Sequence, residues 1–377
     1  MIGPDQARLI IDEAIRGGVF PAAAIEVGDS ASPIWTDARG TLTFDVASTP
    51  AGIETPFDLA SLTKVIATAT VIMDLIRTGA LRLDERVSSF FVDWRGADRD
   101  TVTVQDLLEH ASGLSARLLD PPPAARREFE HDIGTMPLEY APRSRSVYSD
   151  LGFILLGFLA ADRGGAPLAE LFERIPIVGS VRLPPSPNAS ADRRSRGEGG
   201  QPDRDDRLLT FDLRPDARRL AAPTQPLEED TRRGRLLIGD VHDNYAAALG
   251  GVAGHAGLFG TTPAVGAFAR ALLASARGGR NSPAPFSPEL VADFTRKSTV
   301  PGSSRALGWD TMLPTSSCGT RMSPQAFGHV GFSGTSLWID PVRDRYFVLL
   351  TNRVCGGGTV EEMRTVRRAF HDALGDV

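Results

Sequence analysis

The segment 58–76, DLASLTKVIATATVIMDLI, decides how the rest of the chain is interpreted. Beyond its first residues it is mostly apolar, which predicts a buried helix. It nevertheless carries Lys64 near its start, three residues after Ser61. Side chains three residues apart lie on one face of a helix, so the two are expected to meet.

Lysine is rare in this chain, which makes the position of Lys64 informative. Of the 41 Lys and Arg residues, only Lys64 and Lys297 are lysines. A lysine can become neutral when burial or a nearby cation lowers its pKa, whereas an arginine stays charged. A serine hydroxyl is a weak nucleophile until a base takes its proton. Lys64 is therefore predicted to be the base for Ser61; the alternative is a solvated lysine at a chance spacing.

A second candidate, Tyr148, lies in VYSDLGFILLG, directly before another predicted helix. Asp150 is available there as an N-cap, and Gly164 and Gly165 as a stop. The Tyr148 phenol could point into a cleft and relay a proton. Alternatively, it packs half-buried against the helix that follows.

The stretch GHVGFSGTSLWID, residues 328–340, is predicted to be a strand that pairs antiparallel with RYFVLLTNR. Gly331 allows the backbone to approach a ligand, and the N–H of Phe332 is a candidate oxyanion donor beside that of Ser61. His329 could hold a carboxylate or shuttle a proton, or be incidental. Arg353 is either a carboxylate contact or a solvated residue at the end of a strand.

Composition narrows the function classes. The net charge of −6 argues against a nucleic-acid partner. Cys318 and Cys355 cannot form a disulfide framework, although one bridge between them stays open. His242 and His255 flank a glycine-rich segment and could line a cleft, but they lack acidic ligands at a suitable spacing. No metal site and no cofactor are predicted.

The N-terminal stretch MIGPDQARLIIDEAIRGG is typical of an amphipathic helix, not of a signal peptide. No stretch approaches 18 uninterrupted apolar residues, so no transmembrane segment is expected. A cytoplasmic location is expected, or a periplasmic one if a signal was removed. The oligomeric state is left open.

Strands at both ends of the chain, with helices between them, predict an α+β fold. Residues 1–54 and 253–377 are predicted to form an antiparallel sheet domain flanked by helices. A mainly helical domain, residues 55–252, is inserted into it. Within that domain, residues 184–207 are rich in Pro, Gly, Arg and Asp, which predicts a mobile surface loop.

The three motifs Ser-x-x-Lys, Tyr-x-Asp and His-x-Gly, in this order, resemble the serine beta-lactamase and penicillin-binding protein superfamily. The chain is most similar to the class C beta-lactamase-like branch, with its D-alanyl-D-alanine carboxypeptidases, D-aminopeptidases and esterases. Stretches such as FDLASLTK, VTVQDLLEHASGL and GHVGFSGTSLWIDPVRD extend the resemblance over nearly the whole chain. It implies the beta-lactamase/transpeptidase-like fold, with the site between sheet and helical domain.

Carried over residue by residue, the resemblance implies that Ser61 is the acylated nucleophile and Lys64 its base partner. Tyr148 is then the proton relay that protonates the leaving group and later helps to activate water. The backbone N–H groups of Ser61 and Phe332 form the oxyanion hole, and Gly331 keeps the family's glycine. The implied partner is a small-molecule or peptide-like substrate.

Two positions depart from the family pattern: Asp150 stands where asparagine is usual, and His329 where lysine is usual. An ionised Asp150 can only accept hydrogen bonds, and it favours the charged form of Lys64. A neutral His329 is a weaker carboxylate anchor than lysine. Both departures disfavour efficient beta-lactam hydrolysis and favour esterase or peptidase chemistry on a smaller or less acidic substrate. Asp150 is either a substrate contact or a helix N-cap.

The sequence therefore predicts a serine hydrolase acting through an acyl-enzyme on an ester, amide or D-amino-acid-type substrate, with weak beta-lactamase activity also open. One alternative is a penicillin-binding or sensing protein that is acylated without turnover. Another is a catalytically degenerate scaffold.

We expect Lys64→Arg to lose nearly as much activity as Ser61→Ala, because arginine keeps the charge but cannot accept a proton. Steady-state hydrolysis of p-nitrophenyl esters by the two variants checks this. Retention of most of the activity in Lys64→Arg would contradict lysine as the base.

Overall fold

The computed structural model describes residues 2–118, 121–176, 209–279 and 283–375. The predicted loop at 184–207 lies outside these ranges. The strands are β1 (Ala22–Gly28), β2 (Pro33–Gly40), β3 (Phe57–Asp58), β4 (Leu209–Thr210), β5 (Phe259–Gly260), β6 (Asp310–Thr311), β7 (Phe327–Val330), β8 (Ser336–Asp340) and β9 (Arg345–Thr351).

The α-helices are α1 (Ile2–Arg16), α2 (Ala69–Arg77), α3 (Val104–Leu108), α4 (Arg126–Thr135), α5 (Asp150–Gly164), α6 (Leu168–Glu173), α7 (Pro215–Arg219), α8 (Asn244–Ala248), α9 (Thr262–Ala276), α10 (Pro288–Thr295), α11 (Arg353–Gly356) and α12 (Val360–Ala373). A π-helical turn covers Lys64–Thr68, and a 3₁₀ turn covers Val87–Ser89. Within the described ranges, none of the helices has the length and apolar composition needed to span a membrane.

The main sheet has the order β2-β1-β9-β8-β7-β6, and neighbouring strands are antiparallel. Strands from the two ends of the chain meet at its centre, where Ala24 pairs with Leu350. β1 is buried along its whole length because α1 and α12 pack against one face of the sheet and α9 against the other. The predicted antiparallel pairing of the last two strands is confirmed.

The stretch 328–340 was predicted as one strand, and this is wrong. It contributes to β7 and forms β8, two antiparallel strands joined by a turn at residues 331–335. Gly334 has φ +111°, a backbone conformation that favours glycine. A Cβ on Gly331 would lie 2.1 Å from Thr335 Oγ1 and 2.6 Å from Leu59 O. The turn therefore packs directly against the residues that precede Ser61.

The helix predicted over 58–76 begins later than the pattern indicated. Phe57–Asp58 is strand β3, and Ala60 has φ +46°, which a helix cannot accommodate. The Asp58 carboxylate accepts hydrogen bonds from the N–H of Ala60 at 2.8 Å and of His242 at 2.6 Å. Ser61 follows this turn and lies just before the helical residues, so it faces the N-terminal end of the helix.

The N-cap predicted for Asp150 is also wrong. Ser149 is the N-cap of α5, since its Oγ accepts the N–H of Gly152, and Asp150 is the first helical residue. The Asp150 side chain is thereby free to bond elsewhere. Gly165, with φ +64°, ends the helix as predicted.

Two glycines bring α5 close to the segment before β5. A Cβ on Gly254 would lie 1.9 Å from Phe153 O and 2.8 Å from Gly157 N. This close approach places the backbone of His255 beside the helix that carries Lys64. Both cysteines are free thiols. The boundaries proposed for the two domains remain a prediction.

Candidate active site

Three predicted catalytic side chains meet at one hydroxyl group. Ser61 Oγ accepts hydrogen bonds from the hydroxyl of Tyr148 at 2.7 Å and from Lys64 Nζ at 3.0 Å. Lys64 also donates to Asp150 Oδ1 at 2.7 Å and to His255 O at 3.2 Å. The arrangement fixes the nucleophile between two groups that can exchange protons with it.

Lys64 is completely buried, although it carries a charge-bearing group. Burial alone would lower the pKa of its ammonium, but the charge of Asp150 and the hydrogen bonds to Asp150 and Tyr148 outweigh burial and raise the pKa. The same contact lowers the pKa of Asp150 against the opposing effect of its own burial. At rest the pair is therefore an ammonium and a carboxylate, as the departure at Asp150 suggested.

Burial raises the pKa of the Tyr148 phenol above its usual value, against the opposing charge of Lys64. Tyr148 is therefore protonated at neutral pH and donates to Ser61. Lys64 Nζ lies 4.8 Å from the centre of its ring, and the Arg305 guanidinium lies 5.1 Å from it. Of the two environments considered for Tyr148, the structure places its hydroxyl in the cleft.

His329 lies on β7 with only 2% of its surface exposed. Burial, together with the charges of Arg305 and Lys64, holds the pKa of its imidazole well below the usual range, so the ring is neutral. Its Nδ1 lies 2.9 Å from Val330 O, while its buried Nε2 lacks a partner in the described structure. Because the imidazole is neutral, His329 does not offer a positive charge that could bind a substrate carboxylate.

The turn after β7 carries the predicted oxyanion donor, Phe332. Its carbonyl oxygen accepts from Arg353 Nη2 at 2.6 Å and from Nε at 3.1 Å. Its ring stacks on His242 with centres 5.6 Å apart. Arg353 is thus a buried residue that holds the turn, not the solvated strand-end residue considered above. The role of Phe332 as an oxyanion donor remains a prediction.

A pocket of about 230 Å³ opens in front of Ser61. It is lined by Ser61, Tyr148, Arg305, Asp310, His329, Val330, Gly331, Phe332, Arg353, Val360, Met363 and Arg367. Lys64 and Asp150 lie behind Ser61 and do not line it. The substrate contact predicted for Asp150 therefore lacks support from its position, since its carboxylate binds Lys64 instead.

Three arginines line this pocket: Arg305, Arg353 and Arg367. Asp310 is the acidic residue of the lining, so the charged side chains there have a net positive charge. Arg367 is buried, and its Nη2 donates to the carbonyls of Gly331 and Thr335. Burial and the charge of Arg353 lower its pKa to about 9. Because Arg353 and Arg367 bond to carbonyl oxygens, these bonds do not neutralise their charges. Sequence analysis missed Arg305 and Arg367, for which no local motif gave a signal.

A second group of side chains that the sequence did not indicate lies behind Lys64. Asp150, Asp243 and His255 each offer a potential metal-ligand atom, all within 4.8 Å of one another. Arg117 Nη1, however, lies 3.0 Å from an oxygen of each aspartate, and Lys64 lies 2.7 Å from Asp150. A divalent cation would meet both positive charges, so the group does not fit a metal.

Comparisons with known proteins identify the family of this chain. The sequence profile of the Beta-lactamase family matches residues 10–371. The chain belongs to the Beta-lactamase family. A protein of Escherichia coli (strain K12) named "Putative D-alanyl-D-alanine carboxypeptidase" is 31% identical to it over 333 residues, covering 79% of this chain and 69% of that protein.

Two solved structures resemble this Beta-lactamase-family protein over nearly its whole length. A class C beta lactamase from Rhodobacter sphaeroides has a TM-score of 0.71 at 18% identity and covers 98% of each chain. EstCE1, described as a hydrolase with promiscuous acyltransferase activity, has a TM-score of 0.70 at 18% identity and covers 99% of this chain and 98% of its own. At these identities the likeness shows the fold alone, and the predicted fold class is confirmed.

We expect Tyr148→Phe to lower kcat by about 10²–10⁴-fold, because the variant lacks the hydroxyl that bonds Ser61. Tyr140→Phe is the matched control, since the Tyr140 hydroxyl bonds only to the backbone, at His110 O and Val147 N, and not to Ser61. The control variant should lower the free energy of unfolding by about 1 kcal/mol and change kcat little. Equal losses of kcat in the two variants would refute the relay.

Proposed function

We propose that this protein is a serine hydrolase that forms an acyl-enzyme on Ser61 with an ester, amide or D-amino-acid-type substrate. One observation carries the proposal: Tyr148 and Lys64 both donate to Ser61 Oγ, at 2.7 and 3.0 Å. This geometry supplies a nucleophile and a proton donor in the lining of one pocket, with a potential base directly behind them. The carboxypeptidase name of the E. coli relative supports the same chemical class.

In the proposed reaction, the neutral amine of Lys64 accepts the Ser61 proton while Oγ bonds to the substrate carbonyl carbon. The N–H groups of Ser61 and Phe332 stabilise the resulting oxyanion. The oxyanion then collapses, the carbonyl re-forms, and the bond between the carbonyl carbon and the leaving group breaks. Tyr148 gives its proton to the departing group and takes one from Lys64, so the proton count is restored. Water hydrolyses the acyl-serine in a second step that uses the same groups.

The pocket lining replaces the expectation of a less acidic substrate: we infer that the preferred substrates carry an anionic group near the scissile bond. Arg305, Arg353 and Arg367 line the pocket, while His329 is neutral and cannot anchor a carboxylate by charge. Arg305 is the most accessible of the three arginines, and its guanidinium lies above the Tyr148 ring. The pocket volume of about 230 Å³ favours a small group there.

A second candidate is a protein that is acylated by penicillins or related compounds without turnover. The contact between Lys64 and Asp150 favours this candidate, because it retains the lysine proton and so limits the available base. A strained beta-lactam ring needs less help from a base to acylate Ser61 than the resulting ester needs to react with water. The two candidates share the first covalent step on Ser61 and differ only in the second.

The test compares p-nitrophenyl hemisuccinate with p-nitrophenyl butyrate, which differ in a terminal carboxylate, alongside nitrocefin and D-amino-acid amides. We expect steady turnover of the anionic ester and loss of all activity in Ser61→Ala. Arg305→Gln should raise KM for the hemisuccinate about tenfold more than for the butyrate, because it removes a ground-state charge contact.

Each outcome has a distinct consequence. If Arg305→Gln changes KM equally for both esters, the inference that the preferred substrates are anionic is wrong. A burst of product without a steady rate would favour the second candidate. Activity that survives Ser61→Ala would exclude both candidates.

A further inference from the structure

The Arg117 side chain binds next to the catalytic group, yet the mechanism above assigns it no task. Its Nη1 lies 3.0 Å from Asp150 Oδ2 and 3.0 Å from Asp243 Oδ2. Its Nη2 donates to Asn244 Oδ1 at 2.7 Å, and its guanidinium lies 4.1 Å from the centre of the Tyr245 ring. These contacts fix the guanidinium in one place, so its charge acts from a defined distance.

Lys64 and Arg117 share one carboxylate. Lys64 Nζ binds Asp150 Oδ1 at 2.7 Å, while Arg117 binds the other oxygen, Oδ2. The same nitrogen of Arg117 also binds Asp243, whose Oδ1 lies 2.8 Å from His255 Nε2. The carbonyl oxygen of His255 accepts a hydrogen bond from Lys64. Lys64, Asp150, Arg117, Asp243 and His255 therefore form a closed cycle of polar contacts.

Hydrogen bonds to the backbone hold the Arg117 segment against the start of α5. The N–H of Asp150 donates to Ala116 O at 2.9 Å, which ties the start of α5 to the segment that carries Arg117. Ser149 Oγ donates to Ser115 O at 2.6 Å, which reinforces the tie. Arg117 therefore cannot move away from Asp150 without disturbing the start of α5.

Other charged or titratable groups also act on Lys64 from the elements packed around it. They are Asp150 and Tyr148 at the start of α5, Asp243 and His255 around α8, His110 after α3, His329 on β7, and Arg305 before β6. Among them only Asp150 contacts both Lys64 and Arg117. Arg117 thus acts on Lys64 chiefly through this shared carboxylate.

We propose that Arg117 is a positioning residue for the reaction: by binding the second oxygen of Asp150, it weakens the hold of that carboxylate on the Lys64 proton. The active free enzyme is the form in which Lys64 has released one proton to solvent. The Ser61 proton then moves to the neutral amine as Oγ attacks the carbonyl. This proposal rests on the proposed function, because it assigns Lys64 as the base.

The sign of the effect follows from the charges. Removing Arg117 leaves the full charge of Asp150 to Lys64 and removes a repelling cation, so Lys64 holds its proton more tightly. The rising limb of kcat/KM against pH should move to higher pH. Removing the charge of Asp150 has the opposite sign, so the limb should move to lower pH.

The experiment records kcat/KM from pH 7 to pH 11.5 for the full chain and for Arg117→Gln, Arg117→Lys and Asp150→Asn. The range extends this far because the pKa of Lys64 is raised above the usual value for lysine, so the rising limb reaches into the alkaline region. Arg117→Gln should be about tenfold slower at a pH on the rising limb and should recover at higher pH. Arg117→Lys keeps the charge and should lie near the wild type. If Arg117→Gln does not fold, Arg117→Met, which keeps packing against Tyr245, replaces it.

Arg126→Gln is the matched control, because Arg126 also binds two carboxylates, those of Glu130 and Asp162, but lies outside the site. Its pH profile should equal that of the wild type. A purely structural role of Arg117 predicts a loss of rate that is the same at every pH. That result, or an unchanged profile, would overturn the proposal.

A readout independent of activity separates this proposal from the proposed function. Because Lys64 and Lys297 are the only lysines, ¹³Cε-lysine labelling in a Lys297→Arg background gives one resonance, that of Lys64. Its titration should occur at higher pH after Arg117→Gln and at lower pH after Asp150→Asn. If the titration shifts are observed but Ser61→Ala keeps full activity, only the proposed function is refuted. If Ser61→Ala loses activity but the titration shifts are not observed, only the role of Arg117 is refuted.

Discussion

The buried ion pair between Lys64 and Asp150 is the contact on which the site depends. At 2.7 Å it holds the amine beside Ser61, and removing one partner would leave an uncompensated buried charge, at a cost of about 3–5 kcal/mol. In the proposed mechanism the same contact opposes catalysis, because it retains the proton that Lys64 must release. The charges around this pair have two opposing effects: they hold the Lys64 side chain in place, and they determine how readily it releases its proton.

The fold brings the residues around Lys64 together from distant parts of the chain. The turn at Ala60 places Ser61 at the start of a buried helix, and the turn at Gly331 packs against the same residues from the sheet. The start of α5 brings Tyr148 and Asp150, and the close approach at Gly254 brings the His255 carbonyl. The pocket thus forms where the sheet meets the helical region, as the family resemblance implied.

Sequence patterns predicted those parts of the site that depend on local spacing. Ser61 and Lys64 lie three residues apart, and Tyr148 lies beside a helix start, so their residue types and positions were informative. Arg117 was missed because its contacts, at Asp150 and Asp243, are 33 and 126 residues away in the chain. Tertiary packing sets such distances, and no local pattern records them.

The same limit explains the errors in secondary structure. The segment that starts at residue 58 begins with the end of strand β3 and a positive-φ turn at Ala60, which its apolar pattern did not indicate. The run at 328–340 likewise contains a hairpin that was predicted as one strand. Periodicity detects burial well, but it does not show where the backbone reverses.

The central claim, covalent catalysis by Ser61, is tested most directly by mass spectrometry of the protein after reaction with a fluorophosphonate. The account predicts one adduct per chain, on the peptide that contains Ser61, with parallel loss of hydrolytic activity. Inactivation accompanied by an adduct on any other residue, with Ser61 unmodified, would contradict it.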